Sequence, residues 1–167
     1  MVIKTLKSID SDKILEVYNS LESNIQWSDY GYKGRQTGLQ YKEGDDPWTS
    51  AVGKHQGDNE TRYNLLNPYY KDTIFEEIIK EYDLVRTRLM WISPFACYSM
   101  HTDATKRIHI PLVTNPECYF VFKSGIVSHL PAGSIYSVDT RLDHTFMNSS
   151  EKPRLHLVGC FNLAKIS

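Results

Sequence analysis

The pattern of apolar and polar positions changes character partway along the chain. Near the start, Ile14, Leu15, Val17, Tyr18 and Leu21 recur at helical spacing behind Asp10 or Ser11, either of which can cap the first turn, so an amphipathic helix is predicted through them. A second helix is predicted over 72–82, with Ile74, Phe75, Ile78 and Ile79 on its buried face. Between the two, Gly31, Gly34, Gly38, Gly44, Pro47 and Gly53 interrupt Trp27, Tyr30, Tyr32, Tyr41 and Trp48. A glycine-rich aromatic stretch of that length predicts a surface loop or lid. Beyond residue 83 the period shortens to two. Short strands are predicted near 85–92, 96–101, 107–113, 118–123, 126–129, 134–138, 144–148 and 154–161, separated by Ser93-Pro94, Asn115-Pro116, Ser124-Gly125, Pro131-Ala132-Gly133 and the turn before Arg154. So many short strands at even spacing predict a mainly β domain, a jelly roll or small barrel with two helices outside one sheet. The whole chain, 1–167, reads as one domain: a helical and loop part over 1–83 and a β core over 84–162.

Two strands carry polar groups on a face that must be assigned. In 107–113, Ile108, Ile110 and Leu112 take one side, and Arg107, His109 and Pro111 the other. In 154–160, Leu155 and Leu157 oppose Arg154, His156, Val158 and Cys160. Alternation allows two arrangements: the arginines and histidines in water, the usual state of antiparallel sheets, or lining a polar cavity between two sheets.

Composition removes several classes. Lys plus Arg is 19 against 20 for Asp plus Glu, a net charge of -1, which gives no electrostatic handle for a nucleic acid. Hydrophobic residues at 41% and charged residues at 23% are ordinary globular usage, not that of a disordered chain. No apolar run approaches the roughly 20 residues that span a bilayer, and the opening residues turn polar at once, so neither membrane insertion nor a signal peptide is expected. Cys97, Cys118 and Cys160 are far apart and form no CxxC, which predicts free thiols in a reducing, cytoplasmic setting.

The candidate chemistry starts at His101-Thr102-Asp103. Alternation sends the imidazole and the carboxylate the same way, so both can meet one ion, and His144, opening a later strand, is the best candidate for a third ligand. Two imidazoles and one carboxylate on one side of an ion leave its other positions open, a set suited to non-haem Fe(II) oxygenases. Arg154 follows ten residues after His144 and can grip a carboxylate through a bidentate fork, or stand as a solvated strand-end charge.

These residues carry a resemblance. The segments HTDATKRIHIPL (101–112) and LPAGSIYSVDTRLDHTFMNSSEKPRLHLVGC (130–160) resemble the 2-oxoglutarate- and Fe(II)-dependent oxygenases, and within them the aspartyl/asparaginyl β-hydroxylase group, which includes bacterial proline cis-hydroxylases. The likeness spans about 84–162. It implies a double-stranded β-helix (jelly-roll, cupin-like) core, Fe(II) held by His101, Asp103 and His144, and 2-oxoglutarate held by Arg154 with Arg107 and His109. Met90 stands where the animal enzymes carry a small polar residue, and Tyr98 is the candidate to replace that contact. Dioxygen would be the oxidant, with succinate and CO2 as by-products of hydroxylating an amino-acid-type C–H bond. Asp103 fills a ligand position that the animal enzymes lack, which places the chain nearer the small-molecule hydroxylases. The substrate is expected to be a free amino acid or an Asp, Asn or Pro side chain in a peptide, with Trp27, Arg35, Gln36 and Gln40 of the irregular segment as wall residues. The same segment also reads as a loop whose aromatics pack on the exterior. The competing class is a cupin-like metal-binding protein or isomerase, which would not need Arg154.

Overall fold

The computed structural model describes residues 1–54 and 59–162; positions 55–58 of the glycine-rich segment and 163–167 lie outside the described residues. Helix α1 (Ser11–Leu21) starts where Asp10 accepts a hydrogen bond from the Lys13 amide at 3.1 Å, and it buries Ile14 and Tyr18. Helix α2 (Ile74–Glu81) buries Phe75, Ile78 and Ile79. It is shorter than predicted at both ends, because Asp72 and Asp83 adopt left-handed backbone (φ 59° and 48°), which a helix cannot continue through.

The strands are β1 (Ile3–Ser8), β2 (Ser28–Asp29), β3 (Gly34–Gly38), β4 (Gln40–Tyr41), β5 (Leu65–Leu66), β6 (Leu84–Ile92), β7 (Ala96–Cys97), β8 (Arg107–Val113), β9 (Cys118–Phe122), β10 (Val127–His129), β11 (Ser134–Val138), β12 (His144–Asn148) and β13 (Arg154–Phe161). A major sheet runs β1-β11-β8-β13-β6-β3-β2, and a minor sheet runs β10-β9-β12-β7. The strand pairs within both sheets are antiparallel, and the two sheets make a jelly roll.

Both faces of the major sheet are covered. On the outer face, Leu89, Ile108, Ile110, Leu112, Ile135, Leu155 and Leu157 form one core with the buried side chains of α1 and α2. Each such fully buried side chain contributes roughly 1.5–3 kcal/mol. On the inner face, Ile92, Tyr136 and Val138 meet Phe120, Phe122 and Phe146 of the minor sheet. Arg107, His109, Arg154 and His156 share this inner face and are all buried, so they face the space between the two sheets and not water.

The glycine-rich segment departs from the loop expectation. Strands β2 and β3 extend the edge of the major sheet, and Gln36, Thr37, Leu39 and Gln40 are buried. Gly34, at φ +125°, lies so close to β6 that a Cβ there would sit 2.1 Å from the Trp91 carbonyl oxygen. This glycine marks close backbone approach, not a loop. The predicted strand over 96–101 shortens to β7, followed by a single isolated bridge between His101 and His144. Among the described residues no helix is long and apolar enough to cross a membrane, and Cys97, Cys118 and Cys160 are unpaired.

Gly34→Ala is expected to lower unfolding stability by about 2 kcal/mol or more, since a strained φ is joined by a backbone clash. Gly44→Ala, left-handed at φ +87° but with open space around it, should lose only about 1 kcal/mol. Urea denaturation of both variants checks the difference.

Candidate metal centre

His101 and His144 are hydrogen-bonded to each other through their backbones, amide to carbonyl both ways at 2.9 Å. This antiparallel rung sets their rings 4.4 Å apart, centroid to centroid. In each ring Nδ1 points at a backbone carbonyl: Ser99 for His101 at 2.7 Å and Leu142 for His144 at 2.8 Å. A carbonyl only accepts, so in the neutral rings Nδ1 carries the proton and Nε2 offers its lone pair. Burial, the largest influence, holds His144 below the usual histidine pKa and favours that neutral form. Asp103 is placed by its own amide, which donates to the Thr140 carbonyl at 2.8 Å, and its Oδ2 lies 3.9 Å from His144 Nε2. One ligand atom from each of His101, Asp103 and His144 lies within 4.8 Å of the others. This donor set fits a metal held on one side with positions left open.

Arg107 stands beside the carboxylate ligand, with its Nη2 3.2 Å from Asp103 Oδ1. The same guanidinium donates to Glu60 at 2.6 and 2.8 Å and contacts Thr105 and Cys160. Glu60 also receives Arg86 at 3.0 Å and the Thr105 hydroxyl at 2.7 Å. Burial alone would raise the Glu60 pKa, but Arg107, Thr105 and Arg86 outweigh it and bring it down to about 2. Sequence reasoning cast Arg107 as a grip on the oxoacid. In the structure its donors are committed to Glu60 and Asp103, because these are the carboxylates nearest to it.

Arg154 lies deeper in the chamber, 1% exposed, with its Nε unpartnered and its guanidinium carbon 3.7 Å from the centre of the Phe146 ring. Among the described residues no carboxylate pairs with it. Burial depresses its pKa to about 9. His109 and His156 flank it with Nδ1 atoms 3.4 Å apart, both held well below the usual histidine range by burial, and His156 Nε2 has no partner. Tyr98 is half-buried against the inner core and within electrostatic reach of Arg154. A buried cation with an orphaned donor, stacked on Phe146 two residues along β12 from His144, is built to receive an anion.

The four wall residues expected from the irregular segment separate. Gln36 faces the chamber, where its Oε1 accepts from the Gly53 amide at 3.2 Å and from Arg88 at 3.3 Å. Gln40 is not available to a ligand: its amide ties β4 to β6 by donating to the Leu84 carbonyl at 2.8 Å and accepting from the Thr87 amide and hydroxyl. Arg35 and Trp27 lie on the opposite face of the major sheet. Arg35 pairs in register with Trp91, lies over the Trp27 ring at 4.4 Å and pairs with Glu22, while both tryptophans pack on the helix-side core. Register explains this: in a strand, neighbours Arg35 and Gln36 must face opposite ways. Three residues of the chamber were missed, namely Glu60, Arg86 and Arg88. The alternation in Val85-Arg86-Thr87-Arg88-Leu89 carried a signal for the arginines; Glu60, in a short 3-10 turn, had none.

The fold and site together define a jelly-roll protein with a two-histidine, one-carboxylate centre and a buried arginine behind it. The family model described as aspartyl/asparaginyl beta-hydroxylase matches residues 8–162, and the chain belongs to that family. No curated protein is significantly similar in sequence. Solved structures share the fold at low identity. A 2OG-Fe(II) oxygenase family oxidoreductase from Burkholderia pseudomallei is 16% identical, with a TM-score of 0.61, and the match covers 96% of this chain and 84% of that one. HygX from Streptomyces hygroscopicus, solved with nickel and 2-oxoglutarate bound, is 9% identical with a TM-score of 0.56, covering 95% and 81%. The viral collagen prolyl hydroxylase of Paramecium Bursaria Chlorella virus-1, a 2OG complex, is 9% identical with a TM-score of 0.54, covering 97% of both chains.

Because the Glu60 pKa is lowered on folding, from 4.5 to about 2, its stabilisation is complete above the higher value and is lost as pH falls through the lower. Between pH 5 and 2 the wild type should lose about 3 kcal/mol more than Glu60→Gln. Urea unfolding across that range measures it.

Proposed function

We propose that the protein is an Fe(II)- and 2-oxoglutarate-dependent oxygenase that hydroxylates a C–H bond of an amino-acid-type substrate, either a free amino acid or an Asp, Asn or Pro side chain in a peptide. The observation that carries this reading is Arg154. A buried guanidinium, without a carboxylate partner among the described residues, lies between the same two sheets as the His101, Asp103 and His144 donors. A metal-binding protein or isomerase of similar fold does not require that cation. Family membership and the oxygenase neighbours support the same reading.

His101, Asp103 and His144 would hold Fe(II), with Ser99 and Leu142 keeping each imidazole in the ligating tautomer through their carbonyls. Arg154 would grip the distal carboxylate of 2-oxoglutarate by a bidentate fork, strengthened by the low dielectric around it. His156, whose Nε2 is unpartnered, and His109, 3.4 Å from it between Nδ1 atoms, would orient the oxoacid from the flank. When bound, the iron with 2-oxoglutarate and dioxygen supplies the oxidising power that exchanges C–H for C–OH, releasing succinate and CO2. Phe120, Phe122 and Phe146 exclude water from the inner wall. Arg107 holds the Asp103 carboxylate in place through the contact of its Nη2 with Oδ1 at 3.2 Å. No protein nucleophile is needed. The unpaired thiols fit a reducing compartment, and we place the protein in the cytoplasm.

Purified protein given Fe(II), ascorbate and 2-oxoglutarate is expected to release succinate, and His101→Ala or Asp103→Ala to abolish it. Turnover that survives both changes refutes the assignment. Arg154→Ala should raise the 2-oxoglutarate concentration needed for half-maximal turnover by about thirtyfold or more, while Mn(II) binding, followed by electron paramagnetic resonance, stays near the wild-type level.

A further inference from the structure

Arg88 is the one chamber cation that the proposed chemistry leaves without an anion. It lies on the inner face of β6, opposite Val158 of β13, and is only 6% exposed. Among the described residues its Nε has no partner, and its guanidinium makes one hydrogen bond, a long one to Gln36 Oε1 at 3.3 Å. No carboxylate among the described residues pairs with it. Val158 pairs with Arg88 on one side and His109 on the other, and Arg107 lies two residues from His109 on the same inner face, so Arg88 shares that face with the arginine that contacts Asp103.

Charge balance sharpens the point. The inner chamber holds the guanidinium groups of Arg86, Arg88, Arg107 and Arg154 against the carboxylates of Glu60 and Asp103. Arg86 is matched by Glu60, and Arg107 by Glu60 and Asp103. A divalent metal and the dianion of 2-oxoglutarate cancel each other, so loading leaves the surplus of two positive charges unchanged. The oxoacid's far carboxylate would meet Arg154, and among the described residues Arg88 is the guanidinium that no carboxylate contacts. Isolated buried charge is strongly unfavourable, and a site retains it where a ligand completes the pairing. Position agrees with charge. Arg88 pairs with Val158, and Arg154 begins the same strand β13 four residues earlier, so both guanidiniums lie on the inner face of adjacent strands, at different rungs. Gln36, fixed by the Gly53 amide, holds Arg88 from the side.

We infer that the substrate presents a carboxylate and that Arg88 receives it, making Arg88 the specificity-determining residue of the site. The inference rests on the oxygenase reading above and narrows it. It favours a free amino acid, through its own carboxylate, or an acidic side chain in a peptide, and it disfavours a neutral proline or asparagine side chain.

The test uses protein loaded with Mn(II) and 2-oxoglutarate without oxygen, followed by thermal unfolding and calorimetry. One arm offers the free L-amino acids and their C-terminal amides; the other offers pentapeptides centred on Asp and the same peptides centred on Asn. Stabilisation by an acid but not by its amide partner is expected in one arm, and that arm identifies the source of the carboxylate. Arg88→Met should weaken binding of that acid by about thirtyfold or more while 2-oxoglutarate still raises the variant's melting temperature. Free of all ligands, Arg88→Met should melt at or above the wild type, because an uncompensated buried charge has been removed. The inference is overturned if acids and amides stabilise equally or not at all, if Arg88→Met binds the acid as the wild type does, or if the ligand-free variant melts lower, which marks a structural arginine. Failure of 2-oxoglutarate to stabilise even the wild type overturns the oxygenase reading, and this inference with it.

Discussion

The buried polar groups between the sheets depend on the major sheet being covered on both faces. The helices α1 and α2 supply an apolar core on the outer side, with Tyr18, Phe75, Ile110 and Leu157 among its buried members. That core bears most of the folding free energy, so the inner side can hold groups that contribute little to stability or oppose it. Four arginines and three histidines are buried on the inner side, a population that could not sustain a fold by itself. The minor sheet answers with phenylalanines, which close the chamber and raise the strength of every charge interaction within it.

Within the chamber the charges form a graded series. Glu60, with two guanidiniums and a hydroxyl, is fully satisfied. Arg107 passes that order on to Asp103, so a residue from the connection between β4 and β5 reaches the candidate metal centre through one side chain. Arg86 reaches Glu60 from a strand position with φ +52°, and it also donates to the Ala51 and Gly53 carbonyls. Backbone strain and buried ion pairs thus concentrate where the glycine-rich segment meets the site, as expected when precision is held against local preference. Arg154 and His156 lie at the unsatisfied end, and that contrast separates residues that build the site from residues that wait for its contents.

Much of this was legible in the sequence because period-two alternation is a local property. The strands over 107–113, 134–138, 144–148 and 154–161 have the bounds that the pattern predicts, and the triplet at His101 converges with His144 as its spacing suggested. What escaped depended on partners distant in sequence. Strand β1 has only Ile3 and Leu6 as apolar marks and is a strand because β11 offers an edge. Strand β3 reads as a loop because its glycines signal flexibility, whereas they serve close contact with β6. Arg35 and Gln36 looked equally suited to a pocket, and only the register with Trp91 and Met90 sends one to the helices and the other to the chamber. Glu60 could not be foreseen, since nothing in a lone glutamate reports that two arginines await it.

The pairing of His101 with His144 has one more consequence. Two of the three candidate donors sit opposite each other on a single rung, at the margin where β7, an edge strand of the minor sheet, gives way to the turn before Asp103. Opening that rung frees both imidazoles together, so the centre would empty in one concerted event and not ligand by ligand. Conversely, a closed rung presents the imidazoles already spaced, and an arriving ion would need little rearrangement of the backbone to be captured.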